Sequence, residues 1–411
     1  MNFEAAAHRL TDRYRLSPVG FNEPQLTSTE AEADHLENPA EHINPLGAPV
    51  EALTLFAFGD THFHVPERSS FDRTAVLPTT VVMGALRGNL RKQHRWHQAV
   101  RPTLYNDALA DWPNQLAYTL EDQDTSLGEH ALIVHTGDVG DDSLNRTELV
   151  TAMNATARII GQLKDTFDTY SEGRTRAVAI QGIGDHDADY RAWPMAVRAD
   201  QVHWFYGQLG LDEQPACFLQ EIGNAENPDK AVLVVDTNLM EDAWIEEARQ
   251  AATRGIARLT GQIDPSLAPD FDVTSFGNDP SLRDIVLYHN IMRNKVAQDR
   301  LIGRAQAYNE TILLGHKPNV LLKIAKDCEG DTTIVAGHWH IPYNSDKVGS
   351  IHLPTQRSKN GSAVRMLVVA PPTRGMGGLE VAGKPAAYML HLSAGKPLKK
   401  EDVTVVGSDV R

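Results

Sequence analysis

The sequence predicts an α/β fold, and three observations predict it. Short apolar runs recur along the chain, each closing on Gly-Asp, His or Asn: LTLFAFGD (53–60), ALIVHTGD (131–138), AVAIQGIGDHD (177–187), AVLVVDTN (231–238), DIVLYHN (284–290) and TTIVAGHWH (332–340). Runs of four to six β-prone residues followed by a turn signal fit central strands buried on both faces. Helical patterns lie between them. TELVTAMNATARIIGQLKDTF (147–167) places Leu149, Met153, Ala157, Ile160 and Leu163 near a 3.6-residue period, and NVLLKIAKDC (319–328) is a shorter stretch of the same kind. Composition agrees: 41% apolar and 23% charged residues are those of a globular chain, with no low-complexity tract.

The elements fall in order along 411 residues, enough for one large domain or two ordinary ones. Residues 1–50 are polar, with Pro24, Pro39, Pro45 and Pro49 breaking any long pattern. They read as an N-terminal extension packed loosely on a main domain over 51–411. Roughly 64–130 reads as an insertion after the first strand. It carries ALRGNLRKQHRWHQAVRP, a basic helical stretch that is either a cap facing an anionic substrate or a solvated face. His94 and His97 are spaced i, i+3 there, but no carboxylate accompanies them. From about 364 to 411, MLVVAPP, AAYMLHL and DVTVV read as closing strands, antiparallel in expectation.

The formal net charge of −15 argues against broad adhesion to nucleic acid or to anionic membrane. Cys217 and Cys328 form no CxxC pair and imply neither a disulfide framework nor a zinc knuckle. The opening MNFEAAAHRLTDRYRL lacks an apolar core, and no run approaches the about 18 apolar residues of a membrane span. The expectation is a cytoplasmic protein without a membrane partner.

Chemistry gathers at the strand ends. In chain order these are Asp60 and His62 in GDTH, Asp138 and Asp141 in GDVGD, Asp185 and His186 in GDHD, His289 in LYHN, and His338 and His340 in GHWH. A single Gly-Asp at a strand end is often only a turn, because Gly tolerates positive φ and Asp bonds its own backbone. Repetition of the pattern is the signal, since a shared parallel sheet would bring these residues together along one edge. Carboxylates and imidazoles without thiolates suit Zn²⁺, Mn²⁺ or Fe, and their number suggests two ions sharing a ligand. Two ions about 3.5–4 Å apart can stabilise both the attacking and the leaving oxygens of an in-line displacement at phosphorus.

The order DxH, GDxxD, GNH(D/E), H, GHxH resembles the signature of the calcineurin-like metallophosphoesterases. Here it reads Asp60-Thr-His62, Gly137-Asp138-Val-Gly-Asp141, Gly184-Asp185-His186-Asp187, His289 and Gly337-His338-Trp-His340. The resemblance implies a sandwich of two β-sheets flanked by α-helices. It also implies a metal-dependent phosphoester hydrolase using a hydroxide that bridges two metal ions, Mn²⁺, Fe²⁺/Fe³⁺ or Zn²⁺. Asp60, His62 and His340 would bind the first ion, Asp138 would bridge, and His289, His338 and Asp185 would bind the second. His186 would meet the phosphate and protonate the leaving group, with Asp141 orienting it. Asp187 would brace its loop, and Asp189 reads as a polar turn residue. Arg374 and Arg146 are candidates for gripping the phosphate, and each also reads as a surface residue.

Asp185 departs from the family pattern, which has asparagine there. Ionised, it would leave a centre of two divalent ions formally neutral. That weakens attraction for a dianionic monoester more than for a monoanionic diester, or favours Fe³⁺ at one position. A phosphodiesterase acting on a small molecule or nucleotide is therefore the expected activity. A phosphomonoesterase on the same site and a metal-binding regulatory protein are the alternatives, and the acidic charge disfavours nucleic acid as substrate. Two other motifs read as decoys. GLEVAGKP (378–385) imitates a phosphate loop, but Pro385 replaces the hydroxyl residue. GHKP (315–318) offers His316 without a paired histidine and reads as a helix start.

Overall fold

Apolar residues run almost unbroken along the central strands, so each strand has one row for a neighbouring sheet and one row for helices. The computed structural model describes residues 43–61, 111–123, 127–139, 146–184, 187, 217–242, 245–246, 249–250, 292, 295–338, 343–344, 356–369 and 387–407. The chain divides into two compact units. The larger, His42–Asp187, Phe205–Thr237 and Ile302–Arg411, holds every described strand. The smaller comprises Met1–Glu41, Ala188–Trp204 and Asn238–Leu301. Among its described residues, Arg249 pairs with Glu246 at 2.6 Å and Lys295 with Asp299 at 2.9 Å.

The larger unit is α/β, with two mixed sheets. In the first, β1 (Ala52–Phe58) lies beside β2 (His130–His135), and β2 beside β3 (Arg176–Gln181), all parallel. In the second, β4 (Phe218–Asn224) pairs antiparallel with β5 (Asn227–Val234). From β5 the parallel order runs through β6 (Glu310–Gly315) and β7 (Asp331–Ala336). The two-residue β8 (Tyr343–Asn344) and β9 (Gln356–Arg357) each pair antiparallel with β10 (Ala363–Val368), which itself runs parallel to β7. The first sheet is completed by β11 (Ala387–Ser393), antiparallel to β1, and β12 (Val403–Val406), antiparallel to β11. The antiparallel expectation for the closing strands thus holds for β11 and β12. It is corrected for β10, which continues the parallel order of β7.

One core joins the sheets. Leu53, Leu55 and Ala57 of β1 and Leu132 and Val134 of β2 share a cluster with Val232 and Val234 of β5 and Ile312 and Leu314 of β6. The opposite row of the first sheet packs under a helix, with Phe56 meeting Phe167 edge-on at 6.4 Å between ring centres. Phe167 belongs to the long helix Arg146–Tyr170. A shorter helix, α1 (Trp112–Gln123), precedes it and buries Trp112, Leu116 and Leu120 on one face. The long helix, α2, buries Ala152, Thr156, Ile159, Ile160, Leu163 and Phe167. Of the row read from the sequence, Ile160 and Leu163 lie in that stripe and Ala157 sits at its half-buried edge, while the side chains of Leu149 and Met153 lie outside the described residues. α3 (Pro318–Ala325) buries Val320, Leu321, Ile324 and Ala325. It starts with Pro at its first position, where the missing N–H costs nothing.

The end of the N-terminal segment is less loose than its prolines suggest. Asn44 N–H bonds Leu219 O at 2.7 Å, Val50 N–H bonds Glu221 O at 3.1 Å, and Gly223 N–H bonds Val50 O at 2.9 Å. Leu46 and Val50 join the shared core. Residues 43–50 therefore run as a fringe along β4, while the rest of 1–50 lies outside the described residues. The basic stretch at 85–102 lies outside them as well.

Candidate metal centre

Four strands, two from each sheet, end at one place. Asp60 follows β1, Asp138 follows β2, His316 follows β6 and His338 follows β7. The expectation that one parallel sheet lines up the polar residues is thus corrected: two sheets packed face to face each contribute a pair. Asp60 and Asp138 are wholly buried, His316 is 1% exposed, and His338 is half-buried.

The donor atoms converge. His316 Nε2 lies 3.1 Å from Asp138 Oδ2, and His316 Nδ1 lies 3.6 Å from Asp60 Oδ1. His338 Nδ1 lies 3.2 Å from His316 Nε2, with the two rings nearly perpendicular. Asp138, His316 and His338 each offer a ligand atom within 4.8 Å of the others. Bonds of about 2.0–2.2 Å from Zn²⁺ to N and O place adjacent donors about 3.0–3.5 Å apart, so this spacing suits a shared ion. The donor set also fits a cation on energetic grounds. Buried carboxylates are costly unless they are paired or coordinate metal, and an all-N,O set without thiolate suits Zn²⁺, Mn²⁺ or Fe.

The backbone is bent to make this arrangement. Asp60, Asp138 and His338 have φ of 52°, 59° and 70°. They are three of the five non-glycine residues with positive φ among the described residues. Left-handed backbone at non-glycine positions costs of order 1–3 kcal/mol each and collects at functional sites. Asp and His tolerate it better than most residues do. Hydrogen bonds hold the bends: Asp60 N–H donates to Gly137 O at 3.0 Å, and His338 N–H donates to Asp60 Oδ1 at 3.0 Å.

Glycines leave room for the carboxylates. A Cβ on Gly337 would sit 2.8 and 2.9 Å from the two carboxylate oxygens of Asp60. A Cβ on Gly184 would sit 1.9 Å from Asp138 Oδ1 and 2.3 Å from Asp138 N. The Gly in each strand-end motif thus serves close approach between loops as well as turning.

Asp187 braces the loops, as its place in the motif implies. Its Oδ2 accepts the N–H of Asp138 at 2.9 Å and of Gly184 at 3.0 Å, and its Oδ1 accepts the N–H of Val139 at 2.9 Å. One carboxylate therefore ties the loop after β3 to the loop after β2. Desolvation and the nearby Asp138 push the Asp187 carboxyl up to about 6, against the pull of these donors.

His316 is the site residue that sequence reasoning dismissed. It does precede a helix, since Lys317 caps α3. The absent partner histidine was the wrong criterion, however, because its partners are Asp138 and His338 from other strands. The available signal was TILLGH (311–316), an apolar run closing on Gly-His like the run before His338. His289, assigned the corresponding role, lies outside the described residues. So do His62, Asp141, Asp185, His186, Asp189, His340 and Arg374. Arg146 is the first residue of α2, and its side chain is outside the described set.

A scan against protein-family models finds no match to this chain, and a search of curated proteins finds none either. Among the described residues, no helix is long and apolar enough to cross a membrane.

Proposed function

We propose that this chain is a dinuclear metal-dependent phosphoester hydrolase that prefers diesters. The observation carrying the reading is the convergence of Asp60, Asp138, His316 and His338 from four strand ends. Their order along the chain follows the motif order of the resemblance, with His316 taking the seat first given to His289. Asp138 and His338, with His316 beside them, would hold one ion, and Asp60 stands next to Asp138, where a second could share it. The ions, when bound, would supply Lewis acidity and an activated water for displacement at phosphorus.

The chain's own residues do the rest. Asp187 and the Gly137 carbonyl fix the backbone that carries Asp138 and Asp60, so the ligands are in place before the ions arrive. His186, the chain neighbour of Asp187, is the proposed proton donor to the leaving oxygen, and Asp141 its orienting partner. Asp185 adds negative charge where the family has a neutral amide, which favours a monoanionic diester over a dianionic monoester.

The test is hydrolysis of bis-p-nitrophenyl phosphate and of p-nitrophenyl phosphate by metal-stripped protein, with and without Mn²⁺. Mn²⁺-dependent cleavage with the diester preferred supports the reading. Preference for the monoester would move the assignment to a phosphomonoesterase. Folded protein that binds Mn²⁺ and cleaves neither would point to a regulatory metal-binding role.

A further inference from the structure

Behind the candidate ligands lies a buried hydrogen-bonded clasp between the two loops of the first sheet. His135, the last residue of β2, is wholly buried and packs edge-on against Phe58 at 5.0 Å between ring centres. Its Nδ1 accepts the N–H of Gly137 at 3.2 Å. A backbone N–H can only donate, so Nδ1 must be the unprotonated nitrogen and the ring proton sits on Nε2. Nε2 faces the hydroxyl of Thr61 at 3.2 Å. With its oxygen accepting from His135, the Thr61 hydroxyl donates its proton onward. Asp138 O and Val139 O, each at 3.3 Å, share that one proton as acceptors, and the Thr156 hydroxyl lies 3.4 Å away.

The placement gives this clasp a purpose. Thr61 is the residue after Asp60, and Gly137 is the residue before Asp138. Both carboxylate-bearing residues have left-handed backbone that unrestrained loops would tend to relax. The clasp reaches both loops from beneath, through an imidazole whose tautomer is set by the same network. We infer that His135 and Thr61 are positioning residues that set the separation of Asp60 and Asp138, and so tune the affinity of the site for its ions. The inference rests on the metal reading above. Outer-shell partners of this kind typically alter metal affinity about 10–100-fold.

The experiment is Mn²⁺ titration calorimetry on the full chain, paired with the melting temperature of the metal-free protein. Thr61→Val keeps the shape and removes the hydroxyl, while Thr61→Ser keeps the hydroxyl. His135→Phe keeps the ring packing and removes both nitrogens. Thr61→Val and His135→Phe are expected to bind Mn²⁺ about 10–100-fold more weakly, with Thr61→Ser near wild type. The Thr61 pair keeps the test decisive where His135→Phe fails to fold. Thr61→Val binding within about twofold of wild type would overturn the inference, as would Thr61→Ser binding as weakly as Thr61→Val. A lowered melting temperature with unchanged affinity would reduce the clasp to scaffolding. A folded wild-type chain that binds no Mn²⁺ would overturn the metal reading itself, and the inference with it.

Discussion

His316 Nε2 lies 3.1 Å from Asp138 Oδ2, although the two residues leave strands of different sheets. Neither sheet could make this contact alone. β2 delivers an aspartate at a positive-φ turn, β6 delivers a histidine just ahead of α3, and the shared core between the sheets brings the two ends together. The pairing places an imidazole between two buried carboxylates, with His338 as the fourth donor.

Metal should stabilise the fold measurably. A ligand that binds only the native state contributes about 2.7 kcal/mol at one hundred times its Kd. Mn²⁺ is therefore expected to raise the melting temperature of metal-stripped protein. Asp138→Asn should abolish most of that rise, which differential scanning fluorimetry across a Mn²⁺ series will read.

The glycines beside the ligands should tolerate no side chain. Gly184→Ala would drive a Cβ to 2.3 Å from Asp138 N, a contact that only backbone movement relieves. A loss of about 1–3 kcal/mol is expected in urea unfolding, as for other overpacked sites, together with weaker Mn²⁺ binding. Gly161 in α2 is the control, since nothing lies within 4 Å of its Cβ position. Gly161→Ala should leave Mn²⁺ binding alone and stabilise the helix by about 0.5–1 kcal/mol.

His135 should make the metal-free protein acid-sensitive. Burial holds its imidazole down to about 3, against 6.5 in the unfolded chain. Between those values the unfolded state binds the extra proton, so this residue's contribution to stability is complete above pH 6.5 and falls as pH drops towards 3. His135→Phe should therefore show a shallower loss of unfolding free energy from pH 6.5 to pH 4 than wild type. Equal slopes in denaturant titrations at each pH would contradict the assignment.

A second buried pair separates fold from site. Lys230 of β5 donates to Glu310 of β6 and to the Lys396 carbonyl, and Glu310 also accepts the Leu398 N–H. Glu310 opens β6 at the end away from His316. Lys230→Met would strand the Glu310 charge and should cost about 3–5 kcal/mol. Mn²⁺ affinity of the folded fraction, measured by calorimetry, should not change.

Much of this was legible in the residues. The runs ending at Asp60, Asp138 and His338 are strands with candidate ligands at their tips, because a strand buried on both faces leaves polar chemistry only its ends. Where the reading failed, long-range partners decided. β4 was missed because Gln220 and Glu221 interrupt its apolar pattern. Both are buried because Asn44, Leu46 and Ala48 meet Gln220, while Asn44, Arg304 and Tyr308 meet Glu221. His316 was set aside for want of a neighbouring histidine in the sequence, when its neighbours are supplied by β2 and β7. Thr61 and His135 carry no motif, and only the hydrogen-bond geometry reveals their linkage.

The most direct test of the account is metal content. Wild type, His316→Gln and His289→Gln would each be loaded with Mn²⁺, passed through gel filtration and analysed by inductively coupled plasma mass spectrometry. The account predicts two Mn²⁺ per wild-type chain, loss of at least one in His316→Gln, and retention of both in His289→Gln. Full metal content in His316→Gln, or folded wild-type protein that retains no Mn²⁺, would contradict it.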